Sequence, residues 1–185
     1  LKNSGSYVNA FGASAAYNNS GSYSDFIGFE TGGRMSASST VAIGGLALRG
    51  GSGSVTFGNT ATTTNNTVIG YGAGYNVLTG GDNNILLGYQ AADNLTTGSS
   101  NSVLGYDVDV QDPTQSNTLN IGNLIFGQNV DGTGTTISSG NIGIGTTTPN
   151  YRLTVAGDTY IEGNLTATGT IQFDTLTDGL LIADS

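Results

Sequence analysis

A glycine closes a short apolar run again and again through the first two-thirds of this chain. The runs AFG, FIG, AIG, TFG, VIG, LLG, VLG and NIG end at Gly12, Gly28, Gly44, Gly58, Gly70, Gly88, Gly105 and Gly122. The differences between successive positions are 16, 16, 14, 12, 18, 17 and 17. A repeat this short cannot bury an apolar face alone and does so only by stacking on its neighbours. The pattern therefore predicts an all-β chain, a β-roll or β-solenoid with coils of about 16 residues. At about 4.8 Å per coil, eight coils span roughly 38 Å.

The later repeats align almost position by position: NNTVIGYGAGYNVLTGGD (65–82), NNILLGYQAADNLTTGSS (83–100) and NSVLGYDVDV (101–110). Each part has a physical reading. Val68 and Ile69, or Leu86 and Leu87, supply the strand. The glycine marks a bend or the close approach of another backbone. Ala73 and Ala91 suit a crowded inward position. Asn76 and Asn94 begin the return, and Thr79-Gly80 and Thr97-Gly98 make the turn. One unit then reads as strand, bend, second short strand and turn. Such a coil carries few inward apolar side chains, so one roll has a thin core and a poorly covered flank. Three rolls about a common axis solve that, and the expected assembly is a homotrimeric fibre or a larger filament.

Residues 1–123 form the repeat head or shaft, and residues 124–185 a β-rich neck or connector. Within the second part, 124–140 is a Gly/Thr-rich transition. Alternation then returns at Leu153 and Val155, Tyr160 and Ile161, and Leu165 and Ala167, with Gly157-Asp158 and Gly163-Asn164 as turns. The last segment, FDTLTDGLLIADS, reads either as a strand or as the start of a coiled-coil stalk.

Composition narrows the function class. Charged residues are 9% of the 185, against roughly 25% in ordinary domains. The 31 glycines amount to about 17%, against roughly 7%. Low charge with high Gly and Ser also suits disorder, but the apolar residues are clustered at regular intervals, as strands require. The basic groups are Lys2, Arg34, Arg49 and Arg152 against 13 acidic residues, a net charge of −9. That lacks the electrostatic footprint for nucleic acid or anionic lipid, and it offers trypsin-like proteases few cut sites. No apolar run approaches the ~18 residues of a membrane helix, so no membrane insertion is expected in this segment. The chain begins at Leu1 without a signal peptide and reads as a piece of something longer.

The units SSTVAIGG (38–45), NNTVIGYGAGYN (65–76) and NSVLGY (101–106) resemble the head repeats of trimeric autotransporter adhesins, the YadA-like left-handed β-roll. The stretch NIGIGTTTPNYRLTVAGDTYIEGNLTATGT (141–170) is similar to a module of bacteriophage tail fibres and related bacterial surface fibres. Both resemblances imply a homotrimeric fibre outside the cell, on a cell surface or a virion.

Catalysis finds little support. There is no His and no Cys, so the usual partners of a nucleophilic serine are missing. Glu30 and Glu162 are the carboxylate pair open to glycoside hydrolysis, but both sit beside glycines in expected turns. The metal candidate is YDVDVQD (106–112). On a strand, Asp107 and Asp109 share a face, and Asp112 follows near Pro113, which together offer hard oxygen ligands for Ca²⁺. The alternative is a solvent-facing strand with Val108 and Val110 turned in. A single imperfect TGGDNNILLG, the Thr-rich stretches 59–67 and 133–140, and the Asn-x-Ser/Thr sites at Asn18, Asn65, Asn94 and Asn164 carry no further assignment. Tyr71, Tyr89 and Tyr106 each follow a repeat glycine and should form a column. It serves either as a sugar- or receptor-contacting stripe or as a packing ladder. The expected function is a structural and adhesive extracellular fibre, not an enzyme, with no cofactor. Its partners are copies of itself and a surface glycan or protein receptor; a bacteriophage tail-fibre shaft is the alternative.

Overall fold

The computed structural model describes residues 5–50, 61–77 and 79–170. The described residues form an all-β structure without helix. Its strands are β1 (Val8–Phe11), β2 (Ser24–Ile27), β3 (Met35–Ser38), β4 (Val41–Ile43), β5 (Ala61–Thr64), β6 (Thr67–Ile69), β7 (Ile85–Leu87), β8 (Ser102–Leu104), β9 (Leu119–Ile121), β10 (Ile125–Gln128), β11 (Asn141–Ile144) and β12 (Leu153–Val155). Ten of them make one sheet in the order β1-β2-β4-β6-β7-β8-β9-β10-β11-β12, and β3 pairs β5 in a second sheet. From β1 to β9 every neighbour in the large sheet is parallel. Equivalent residues of successive repeats lie side by side: Phe26 faces Ala42, Ala42 faces Val68, Val68 faces Leu86, and Leu86 faces Val103.

The repeat glycine sits at the exit of each of these strands. Its N–H donates to the residue before the preceding repeat's glycine, as in Gly88 to Ile69 O (2.8 Å) and Gly105 to Leu87 O (2.9 Å). Two constraints exclude any other residue at Gly88. Its φ is +138°, and a Cβ there would lie 2.0 Å from Gly105 O. Gly12, Gly28, Gly44 and Gly70 face the next repeat's glycine oxygen in the same way, at 2.0–2.6 Å. The column ends at Gly122, where φ falls to +59° and nothing lies within 4 Å. There β10 turns back antiparallel on β9, β11 runs antiparallel to β10, and β12 is parallel to β11. The large sheet thus runs on across positions 123 and 124.

Three expectations change. The second short strand after each glycine is a run of turns instead. Ser14 and Ala16, Glu30 and Gly32, Leu46 and Leu48, Gly72 and Gly74, and Gln90 and Ala92 all have φ between +50° and +67°. Left-handed residues at every second position cannot extend into a strand. The two short intervals that meet at Gly58 do not make two steps of the ladder. Instead β4 pairs directly with β6, with Val41 beside Thr67. Gly58 itself lies outside the described residues, as do Lys2 and the final segment 173–185. Finally, the expected strands through Tyr160–Ile161 and Leu165–Ala167 are absent; residues 156–170 carry no strand and are exposed.

The interior is narrow and filled by alternate strand side chains, by small residues from the turns, and by Leu48, Val77 and Leu95 from the segments after them. Phe26, Ala42, Val68, Leu86 and Val103 point inward from the strands. Ala15, Ala47, Ala73, Ala91 and Val108 occupy the third place after each glycine, all buried. Packing is tight enough that a Cβ at Gly32 would lie 2.2 Å from the Phe26 ring.

Beside this apolar column runs a buried polar one. Ser24 opens β2, and Thr40, Asn66, Asn84 and Asn101 stand just before their strands, each of the five at most 2% exposed. Asn66 Oδ1 accepts the N–H of Asn84 (2.8 Å), Asn84 Oδ1 that of Asn101 (2.9 Å), and Asn101 Oδ1 that of Thr118 (3.0 Å). The amide ends donate to the backbone of the following turn, at Gly81 O, Gly98 O and Gln115 O respectively. Two residues upstream a second column runs the opposite way on the surface. Ser6 donates its N–H to Ser22 Oγ, Ser22 to Ser38 Oγ, Thr64 to Asp82 Oδ1, Asp82 to Ser99 Oγ and Ser99 to Ser116 Oγ. At this corner the side-chain bonds alternate with backbone bonds between repeats, such as Thr67 N to Asn84 O (2.8 Å) and Ser100 N to Asp82 O (2.8 Å).

Candidate functional site

Inward alternation leaves the opposite face of the parallel strands to the outside. The residue before each glycine points there: Phe11, Ile27, Ile43, Ile69, Leu87, Leu104 and Ile121. Phe11 is 79% exposed, Ile27 45%, Ile69 41% and Ile121 38%, and the others are partly covered. Val41 and Ile85 add to the same face two places earlier. The one charge there, Asp25, accepts a hydrogen bond from Asn9 Nδ2 at 2.7 Å. This is a continuous apolar strip crossing seven strands, far larger than scattered exposed leucines on an ordinary surface.

The tyrosine column lies along its edge. Tyr71 and Tyr89 stack at 5.7 Å between ring centroids, and Tyr89 and Tyr106 at 5.1 Å, with planes within 12°. A Cβ on Gly45 would meet the Tyr71 ring at 3.3 Å, so the column rests on the preceding repeat. Tyr89 has a neighbouring ring on both faces. A sugar ring stacks on a free aromatic face, which Tyr89 does not offer; its outer edge and hydroxyl remain open. A second stack joins Tyr7 to Tyr23 at 5.1 Å, both at positive φ in the corner before their strands. Repetition of the sequence at a constant offset places all these rings, and Tyr7 and Tyr23 are legible as part of the recurring SGSY.

The acidic cluster is arranged otherwise than a strand would set it. Residues 105–112 carry no strand, and Asp107, in a turn, is left-handed at φ +53°. Asp112 closes a local turn, accepting from Thr114 N (2.8 Å) and Thr114 Oγ1 (2.7 Å), and these bonds hold its carboxyl below the ordinary value. Burial raises Asp109, and the charges of Asp93 and Asp107 add to the rise, while the N–H of Asn94 opposes it. Among the described residues no three acidic side chains are grouped to hold a metal ion. Glu30 is engaged in an ion pair, its Oε2 2.6 Å from Arg49 Nε. Glu162 lies in the exposed stretch after β12.

Sequence reasoning misses the asparagine column. Its signal is the recurrent Asn immediately before the strand, in NNTVIG, NNILLG and NSVLG. Polar residues at a strand entrance read as turn, and only the register reveals that they are interior. No protein-family profile matches the chain, and neither a curated protein nor a solved structure is significantly similar to it.

Proposed function

We propose that this chain is a segment of an extracellular structural and adhesive fibre. In this reading the parallel ladder winds as a β-roll, and copies associate through the apolar strip, in a homotrimer or a longer filament. The neck beyond residue 123 continues the fibre. No catalytic step belongs to this reading.

The observation that carries it is the strip from Phe11 to Ile121. Seven strands at about 4.8 Å make a face roughly 30 Å long, and the four residue steps from Ile85 to Tyr89 make it about 13 Å wide. That is about half of the roughly 800 Å² each partner gives to a stable interface, and the exposed apolar groups beyond β11 add to it. Its occupant is a second copy because the strip repeats with the period of the chain, so an identical neighbour presents the same apolar column at the same spacing. The exposed apolar groups after β11 support it: Tyr151, Leu153, Tyr160 and Leu165 are all more than 60% exposed. Such a stretch finds cover against other chains. Few basic residues and little charge suit a fibre exposed to proteases.

Native mass measurement with negative-stain imaging tests the proposal. A discrete trimer or a filament supports it. A stable monomer in dilute solution overturns it. Within this reading, a bacterial surface adhesin and a bacteriophage tail-fibre shaft differ in what they are attached to, and the same imaging on intact cells or virions separates them.

A further inference from the structure

Outside the apolar strip, the described residues hold one concentration of positive charge. Arg34 and Arg49, two of the chain's four basic residues, line a cavity of about 130 Å³ with Ser14, Tyr17, Glu30 and Gly33. That volume holds about four waters. The residues come from three successive turns, so stacking alone assembles the cavity. Arg49 is engaged: Nε bonds Glu30 Oε2 at 2.6 Å, Nη1 bonds Tyr75 Oη at 2.5 Å, and the guanidinium lies 5.4 Å over the Tyr75 ring. The side chain of Arg34 is half-buried and has no ion pair or hydrogen bond among the described residues.

Arg34 occupies a left-handed corner of its repeat. Its φ is +62°. The equivalent positions in the flanking repeats are Asn18 at φ +62° and Gly50 at φ +84°, the residue types that tolerate this conformation. Side-chain-bearing residues hold the same conformation elsewhere in the turns, at Glu30 and Leu46 for example, so the backbone at Arg34 follows the repeat and the variation lies in the side chain alone.

We infer that this cavity binds a carboxylate-bearing sugar residue. The Glu30–Arg49 pair is neutral overall, which leaves the Arg34 guanidinium to take one carboxylate through two parallel N–H donors. Ser14 Oγ, Tyr17 Oη and the free Oε1 of Glu30 supply acceptors and donors for ring hydroxyls, and Tyr17 a ring for an apolar sugar face. A bare divalent anion would be repelled by Glu30. The site lies within one chain, so it stands or falls independently of the fibre reading.

The test is a titration of the full chain with D-glucuronate, followed by NMR or calorimetry, against D-glucose, acetate and sulfate. Glucuronate should bind at least about tenfold more tightly than the other three. The variant R34N, which gives the corner the residue found at Asn18, should fold as well as the parent and lose at least about tenfold in glucuronate affinity. Equal binding of glucose, equal binding of acetate or sulfate, or full affinity in a folded R34N would each overturn the inference.

Discussion

The side-chain oxygen of Asn84 accepts the backbone N–H of Asn101, one repeat further on, at 2.9 Å, with both residues fully buried. The opposite end of the Asn84 amide donates to Gly98 O at 3.1 Å. One side chain thus joins three points of two repeats, beside backbone bonds such as Ile85 N to Asn101 O (2.8 Å).

Replacing Asn84 by Ala leaves two buried backbone groups unpaired. At about 1–3 kcal/mol for each, the loss is roughly 2–6 kcal/mol. Asn84→Thr keeps an acceptor, as Thr40 does for the N–H of Asn66, and should lose about half as much. Chemical denaturation of the two variants beside the parent measures the difference.

Gly88→Ala and Gly80→Ala separate steric from conformational cost. At Gly88 the added carbon meets Gly105 O at 2.0 Å, whereas at Gly80, with φ +86°, it meets nothing within 4 Å. Gly80→Ala should cost about 1–2 kcal/mol. Gly88→Ala should prevent the adjoining repeats from stacking, seen as a lost cooperative unfolding transition.

Val68 and Ile69 are neighbours on opposite faces, one buried and one 41% exposed. Val68→Asp places a charge in the narrow interior and should abolish folding. Ile69→Asp should leave circular dichroism unchanged and shift the assembly toward monomer in size-exclusion chromatography. An Ile69→Asp chain that associates as the parent does would remove the apolar strip as the interface.

Acidic groups give opposite pH dependences. The raised Asp109 carboxyl stabilises the fold fully below the ordinary 3.8, and that contribution is lost as pH rises through its higher native value. Asp112 and Asp131, lowered by hydrogen bonds from Thr114 and Ser139, contribute above 3.8 and lose it as pH falls through their native values. Asp109→Asn, which keeps an acceptor for Asn94, should therefore flatten the decline on the alkaline side and spare the acid side. Thermal midpoints between about pH 3 and about pH 8 check both limbs.

The all-β class, the glycine column and the inward alanines were legible because each repeats at a constant offset, and repetition converts sequence position into spatial neighbourhood. Ala73 and Ala91 needed nothing more. The 26-residue step from Gly44 to Gly70, across which β4 pairs directly with β6, is not legible from the short intervals, because strand partners are a tertiary quantity. The acidic cluster misled for a related reason. Asp107 and Asp109 alternate with valines as on a strand, but φ +53° at Asp107 continues the left-handed turns of the repeats before it. Arg34 and Arg49 belong to different repeats, and only the stack of turns brings them to one cavity.

Hydrogen bonds between repeats lie along the direction of stacking, so tension applied along it loads the repeats in series. Resistance is then set by the poorest junction and gains nothing from the rest. Along the parallel part of the large sheet, β1 and β2 pair over four residues, and every junction from β2 to β9 pairs over three. Pulled from both ends, the stack opens first within that three-residue ladder.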